Sequence, residues 1–281
     1  MTPDTSDRQN VYMEITSLEN IYHFGIALRD FFQRTYLELI LPLGVRVNIL
    51  SKHFYRKPVY CMMNRMNWLD VGRRLVSGEI EELLILNKNG LSTGYGVNQT
   101  VVAALKGSTG FPSCANGVEL SIGRDLIGEK IDFFQERLLE ITLDAFKSLK
   151  AVSGYITIDN IQAGTRSASP FEQSLNMNYQ DASWNFRNKF RGAYWGNILS
   201  TEHIKKLGGL EKLKLNAPAY RIAEMGQEES NAVFMQLSPS LDMVSPYQLN
   251  ELQRYLKPVL PGAGKEGKFK SFGWRVINTK C

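Results

Sequence analysis

Four carboxylates recur every four residues near the middle of this chain, Asp132, Glu136, Glu140 and Asp144, a spacing that lines them up along one side of a helix. Like charges so placed repel one another by roughly 0.2–0.5 kcal/mol per adjacent pair. The bland reading is a solvated face softened by Lys130, Arg137 and Lys147, and the functional one is a docking strip for a basic partner. Glu228 and Glu229 sit at the tip expected for a hairpin between residues 220–225 and 232–237 and form a second acidic patch. A contrasting pattern lies in WNFRNKFR, residues 184–191, where Trp184, Phe186, Asn188 and Phe190 alternate with Asn185, Arg187, Lys189 and Arg191. As a strand this segment would carry one aromatic and one basic face. Stacking on Trp184 with phosphate contacts from Arg187, Lys189 and Arg191 is how a platform holds single-stranded nucleic acid. The same alternation describes a half-buried strand with its aromatics inward and its charges outward.

Catalytic signatures do not occur. There is no GxSxG elbow, HExxH pair, deaminase zinc motif or calcium loop. Gly264-Lys265 resembles the end of a phosphate loop, but Val259 stands where the loop's first glycine belongs and Glu266 where its hydroxyl belongs. Thr93-Gly94-Tyr95-Gly96 lacks the third glycine of a dinucleotide fingerprint and reads as a turn. His23, His53 and His203 have no second ligand at metal spacing, so surface or helix-end positions are expected for them. Cys61, Cys114 and Cys281 are odd in number and far apart, which excludes a disulfide framework or a zinc knuckle, and the apolar neighbours of Cys61 predict a buried structural thiol. The expectation is no enzyme, no catalytic residue, no metal and no cofactor.

Composition agrees with a folded, reducing-compartment protein. The chain has 281 residues, 43% hydrophobic and 22% charged, with a net charge of +5, too weak a field over that length to indicate nucleic acid by itself. The start, MTPDTSDRQN, is no secretory signal. Arg29, Asp30, Arg34 and Glu38 interrupt the most apolar stretch, residues 24–43, which argues against a membrane span. A cytoplasmic location follows as the expectation.

The elements that would position these residues alternate between strand and helix. Strands are predicted at 11–15, 45–50, 80–86, 101–105, 118–122, 155–158 and 190–199, and the hairpin above adds two more. Amphipathic helices are predicted at 18–41, stopped by Pro42 and Gly44, at 68–76 and at 126–149. A further helix starts at Pro246 with Ser245 as its cap. Residues 162–181, rich in Ser, Gly, Asn and Gln, read as a long loop, and 87–90 as a turn. The fold class is α+β, with mixed or antiparallel sheets packed with several amphipathic helices. One globular unit over 1–281 is expected. A seam near 123–125, dividing 1–123 from 124–281 into two similar halves, is the alternative.

The segment RGAYWGNILSTEHIKKLGG, residues 191–209, reads as a strand end, a cap at Ser200 or Thr201, a short helix and a glycine stop at Gly208-Gly209. It resembles a segment of the immunity proteins of bacterial polymorphic toxins, especially those encoded beside type VI secretion effectors, with a looser likeness over 233–261. That resemblance implies an intracellular α+β protein that binds and neutralises a cognate toxin, without a cofactor, so as to protect the producing cell. It carries over no binding residue, and Trp195, whose indole N–H needs a partner when buried, is expected to be structural. If the toxin is a nuclease, its basic cleft would meet the acidic residues as phosphate mimics. A nucleic-acid-binding accessory protein using 184–191 is the alternative.

Overall fold

The computed structural model describes residues 9–19, 21–53, 56–87, 100–105, 116–159, 186–225 and 232–261. Most of the turn at 87–90, the loop at 162–181, Trp184, Glu228, Glu229, Cys114 and Cys281 lie outside them. The strands are β1 (Asn10–Ser17), β2 (Val47–His53), β3 (Val59–Met62), β4 (Ile80–Asn87), β5 (Thr100–Leu105), β6 (Asn116–Gly123), β7 (Ala151–Asp159), β8 (Gly196–Leu199), β9 (Arg221–Glu224) and β10 (Val233–Gln236). They form one ten-stranded sheet in the order β3-β2-β4-β5-β6-β1-β7-β8-β10-β9, and among the described residues every pairing is antiparallel, so the fold is α+β. The N-terminal strand holds the centre: β1 pairs with β6 on one side and β7 on the other. Residues 123–125 run from the last residue of β6 into a short helix that begins at Arg124.

Alternation decides which residues face which layer. Val11, Met13 and Ile15 of β1, with Val118, Leu120 and Ile122 of β6, point to a core closed by helices. These are α1 (Gly25–Arg34), α2 (Arg65–Val76) and α4 (Ile131–Ser148), which bring Leu28, Phe31, Phe32, Val71, Leu75, Phe134, Leu138 and Ile141. The other face carries a second core over β7, β8 and β10, built from Tyr155, Leu199, Val233 and Met235. It is closed by α5 (Thr201–Lys206), α6 (Leu210–Asn216) and α7 (Pro246–Leu256). A one-turn helix, α3 (Arg124–Ile127), leads from β6 towards α4.

The long helix expected at 18–41 changes pitch along its length. A 3-10 turn at Ile21–Phe24 precedes α1, which widens into a π-turn at Thr35–Ile40 before a final 3-10 turn at Leu41–Leu43 and a left-handed Gly44, φ 71°. Leu39 and Ile40 of the wider turn both face inward and are buried. Gly25 is required: a Cβ there would stand 2.6 Å from the Leu75 carbonyl oxygen, at the close approach of α1 to the end of α2. Asn64 caps α2 by accepting from the Asn67 N–H, and Ser245 with Gln248 forms a capping box on α7.

Three expectations are corrected. The strand at 190–199 is confined to β8, and residues 186–188 are a turn, so the alternation of 184–191 makes no two-faced strand among the described residues. Cys61 is only half-buried on the edge strand β3, where it packs against the margin of the first core. His203 is wholly buried, and His53 nearly so. A helix absent from the expectation, α6, follows Gly209 directly, the two glycines at φ 96° and 94° turning the chain from α5 into it.

Candidate partner-binding surface

Asp132, Glu136, Glu140 and Asp144 all lie on the exposed side of α4, opposite Phe134, Leu138, Ile141 and Ala145. Neighbours divide the stripe in two. The Arg34 guanidinium donates to Asp144 at 2.6 Å and to Glu38 at 2.8 Å, and this double pairing raises the Arg34 pKa against the opposing effect of its partial burial. Arg137 pairs with Glu140 at 2.6 Å while lying over the ring of Phe133. The C-terminal half of the stripe is therefore neutralised. Asp132 and Glu136 have no ion pair among the described residues, and Asp132 receives only a long hydrogen bond, 3.5 Å, from Gln135.

Beside the unpaired half is a recess of about 230 Å³ lined by Glu38, Leu39, Pro42, Leu43, Phe133 and Phe134, with Lys130 at its margin. Phe133 is 49% exposed, and Leu37 and Leu41 are similarly open on the neighbouring helical stretch. Lys130 donates to the Pro42 carbonyl, which ties its ammonium to the backbone. An apolar recess beside Phe133, with Asp132 and Glu136 exposed on the same helix, suits a basic partner that inserts an apolar side chain, since buried anchors supply affinity and nearby charges supply encounter rate. Spacing made the acids visible in the sequence; the recess depends on the π-turn bringing 38–43 against α4.

The expected basic platform is dispersed. Arg187 is exposed, and Lys189 donates to the Leu260 carbonyl at 2.9 Å. Arg191, 1% exposed, lies in the interior and donates to Glu14 at 2.8 Å and to the Tyr155 hydroxyl at 2.6 Å. Tyr155 in turn donates to Glu14 at 2.8 Å, and Tyr12 and Thr16 donate to the same carboxylate at 3.2 Å each. Glu14 is 7% exposed and faces Tyr155 directly across the β1–β7 ladder. Burial pushes the Tyr155 phenol well above its ordinary range, with Arg191 opposing the shift. This charged centre pins the 186–195 segment to the middle of the sheet.

The rest of the 191–209 segment is equally internal. Trp195 donates its indole N–H to the Ser238 carbonyl at 2.9 Å, as expected of a buried tryptophan. Asn197 closes the turn before β8 by donating to the Tyr194 carbonyl and accepting from the Tyr194 N–H. The His203 Nδ1 accepts from the Ser200 N–H at 3.3 Å, and desolvation lowers its pKa to about 4.

Among the described residues no group of three or more His, Cys, Asp or Glu is placed to hold a metal ion, and no helix is long and apolar enough to cross a membrane. What the fold and surface define is an α+β protein with one broad antiparallel sheet between two helical layers and an open acidic-apolar face on one of them. No protein-family model and no curated protein matches the chain. Among solved structures it is similar to the Pseudomonas aeruginosa T6SS protein PA0821, with a TM-score of 0.59 over 90% of this chain and 76% of that one, at 12% identity. At that identity the likeness is one of fold.

Proposed function

We propose that this chain is an immunity protein, a cytoplasmic binding protein that neutralises a cognate antibacterial toxin delivered by a type VI secretion system. The observation that carries this reading is the fold shared over 90% of the chain with a T6SS protein. The resemblance of residues 191–210 to immunity proteins supports it from the sequence. That segment is buried scaffold in this chain, which leaves recognition to exposed surface, and the α4 recess with Asp132 and Glu136 is the surface whose chemistry suits a basic toxin. Neutralisation proceeds by contact, without a cofactor and without turnover.

Co-expression with the product of the adjacent gene tests the proposal. Stable one-to-one copurification, a calorimetric binding isotherm and rescue of growth are the expected results. A toxic neighbour that neither binds nor is rescued overturns the reading for that pair.

A further inference from the structure

A second cavity, of about 210 Å³, lies at the β3 edge of the sheet, where α2 covers the end of β2. Antiparallel pairing sets Ser51 of β2 opposite Val59 of β3, and Arg56 and Lys57, just before β3, stand in the cavity wall. α2 contributes Asn67, Asp70, Val71 and Arg74, so the wall carries one carboxylate, paired with Arg74, beside its cations.

His53 is the informative group. It is 7% exposed, its Nε2 is 2.9 Å from the Ser51 hydroxyl, and its Nδ1 is buried with no hydrogen-bond partner among the described residues. Leaving a buried polar atom unpaired is costly, and a water or ion is one usual partner for such an atom in a folded protein. Desolvation, reinforced by Arg74 and Arg56, lowers the His53 pKa. Where the Ser51 hydroxyl donates to Nε2, one of the two arrangements this contact allows, the ring proton sits on Nδ1 and the missing partner is an acceptor.

The surrounding charges give that acceptor a sign. Asp70 and Glu79 are held by Arg74 at 2.8 and 3.2 Å, and Asp70 is also held by Arg73. Arg56 and Lys57 have no ion pair among the described residues and line the same cavity. We propose that this cavity binds a small oxyanion, a phosphate or carboxylate group, which accepts from His53 Nδ1 and is held by Arg56 and Lys57. Partner recognition at α4 is independent of it.

The chain has only three histidines, which makes imidazole carbon–proton NMR of the full-length protein a direct readout. His203 is recognised by its low pKa and His23 by its loss in His23→Gln. Inorganic phosphate and, in a separate arm, acetate are titrated at constant ionic strength in chloride. The expected result is a saturable shift of the His53 signal with an upward move of its pKa for at least one anion, the more effective one identifying the class. His23 and His203 should stay still. The Arg56→Gln/Lys57→Gln variant, changed only at exposed positions, should bind roughly tenfold more weakly with the His203 signal unaltered. No response to either anion, a non-saturating drift shared with His23, or unchanged affinity in the double variant overturns the proposal.

Discussion

Single residues in this protein are informative mainly where they are buried and polar. His203, 0% exposed, has its pKa lowered to about 4 by desolvation, while an unfolded chain titrates near 6.5. A depressed folded pKa means that the unfolded state takes up the proton first as the pH falls. The stability associated with neutral His203 is therefore present above about pH 6.5 and is lost as the pH drops towards 4. Urea unfolding should show a loss of about 2 kcal/mol between pH 7.5 and pH 5 from this group. His203→Gln should flatten that slope while lowering stability overall, and an equally steep slope in the variant would remove His203 as its source. Arg191 gives the second test. Arg191→Met leaves Glu14 buried without its cation and should cost about 3–5 kcal/mol, whereas Arg191→Met with Glu14→Gln should be more stable than the sum of the two single changes predicts. Additive single costs would mean the pair is not coupled. Both residues were visible in the sequence, but their roles were not. Arg191 read as an exposed cation because local alternation carries no information about Glu14, 177 positions away.

Elements whose cues are local were legible in the sequence, and those set by distant pairing were less so. Ser245-Pro246 announced α7, and the structure places the cap there, with Ser245 accepting from the Gln248 N–H at 3.2 Å. Ser245→Ala should cost about 1 kcal/mol in thermal or urea unfolding. No measurable change would show that the Gln248 side chain, which accepts from the Ser245 N–H at 3.0 Å, suffices to hold the first turn. The heptad-like apolar stripe likewise located α4, and the two halves of the β9–β10 hairpin fell where alternation put them. By contrast, the strand predicted over 190–199 was too long because its aromatics serve two purposes. Phe190 and Tyr194 fill the second core from an irregular segment, and only 196–199 joins the ladder. The π-turn after α1 was equally hidden, since nothing in TYLELI distinguishes it from regular helix until α4 is packed against it.

At the scale of the whole molecule, the sheet's two faces have different work. The second core side is closed by α5, α6 and α7, where Lys205 pairs with Glu202 and Arg254 with Glu251 within their helices, and Lys214 pairs with Glu224 of β9 at 2.6 Å and with Glu211 at 3.4 Å. On the other side, the α1–α4 layer keeps Phe133, Leu37 and Leu41 open beside two unpaired carboxylates. Large apolar side chains rimmed by charge are costly to leave in water unless something covers them; Leu215 and Tyr247 on the opposite layer are exposed as well, so under the proposed function the α1–α4 layer is one docking site to be tested against that other one. Phe133→Ala with Glu136→Lys removes an anchor and reverses a rim charge without touching the buried face of α4. The affinity for the toxin should fall at least about tenfold, with Phe133 acting mainly on dissociation and Glu136 on association and its salt dependence. Glu251→Lys on α7, a charge reversal of the same size on the opposite layer, should leave affinity unchanged. If calorimetry shows the α7 change weakening binding while the α4 pair is silent, the toxin sits on the other face and the acidic stripe is only a solvated helix surface.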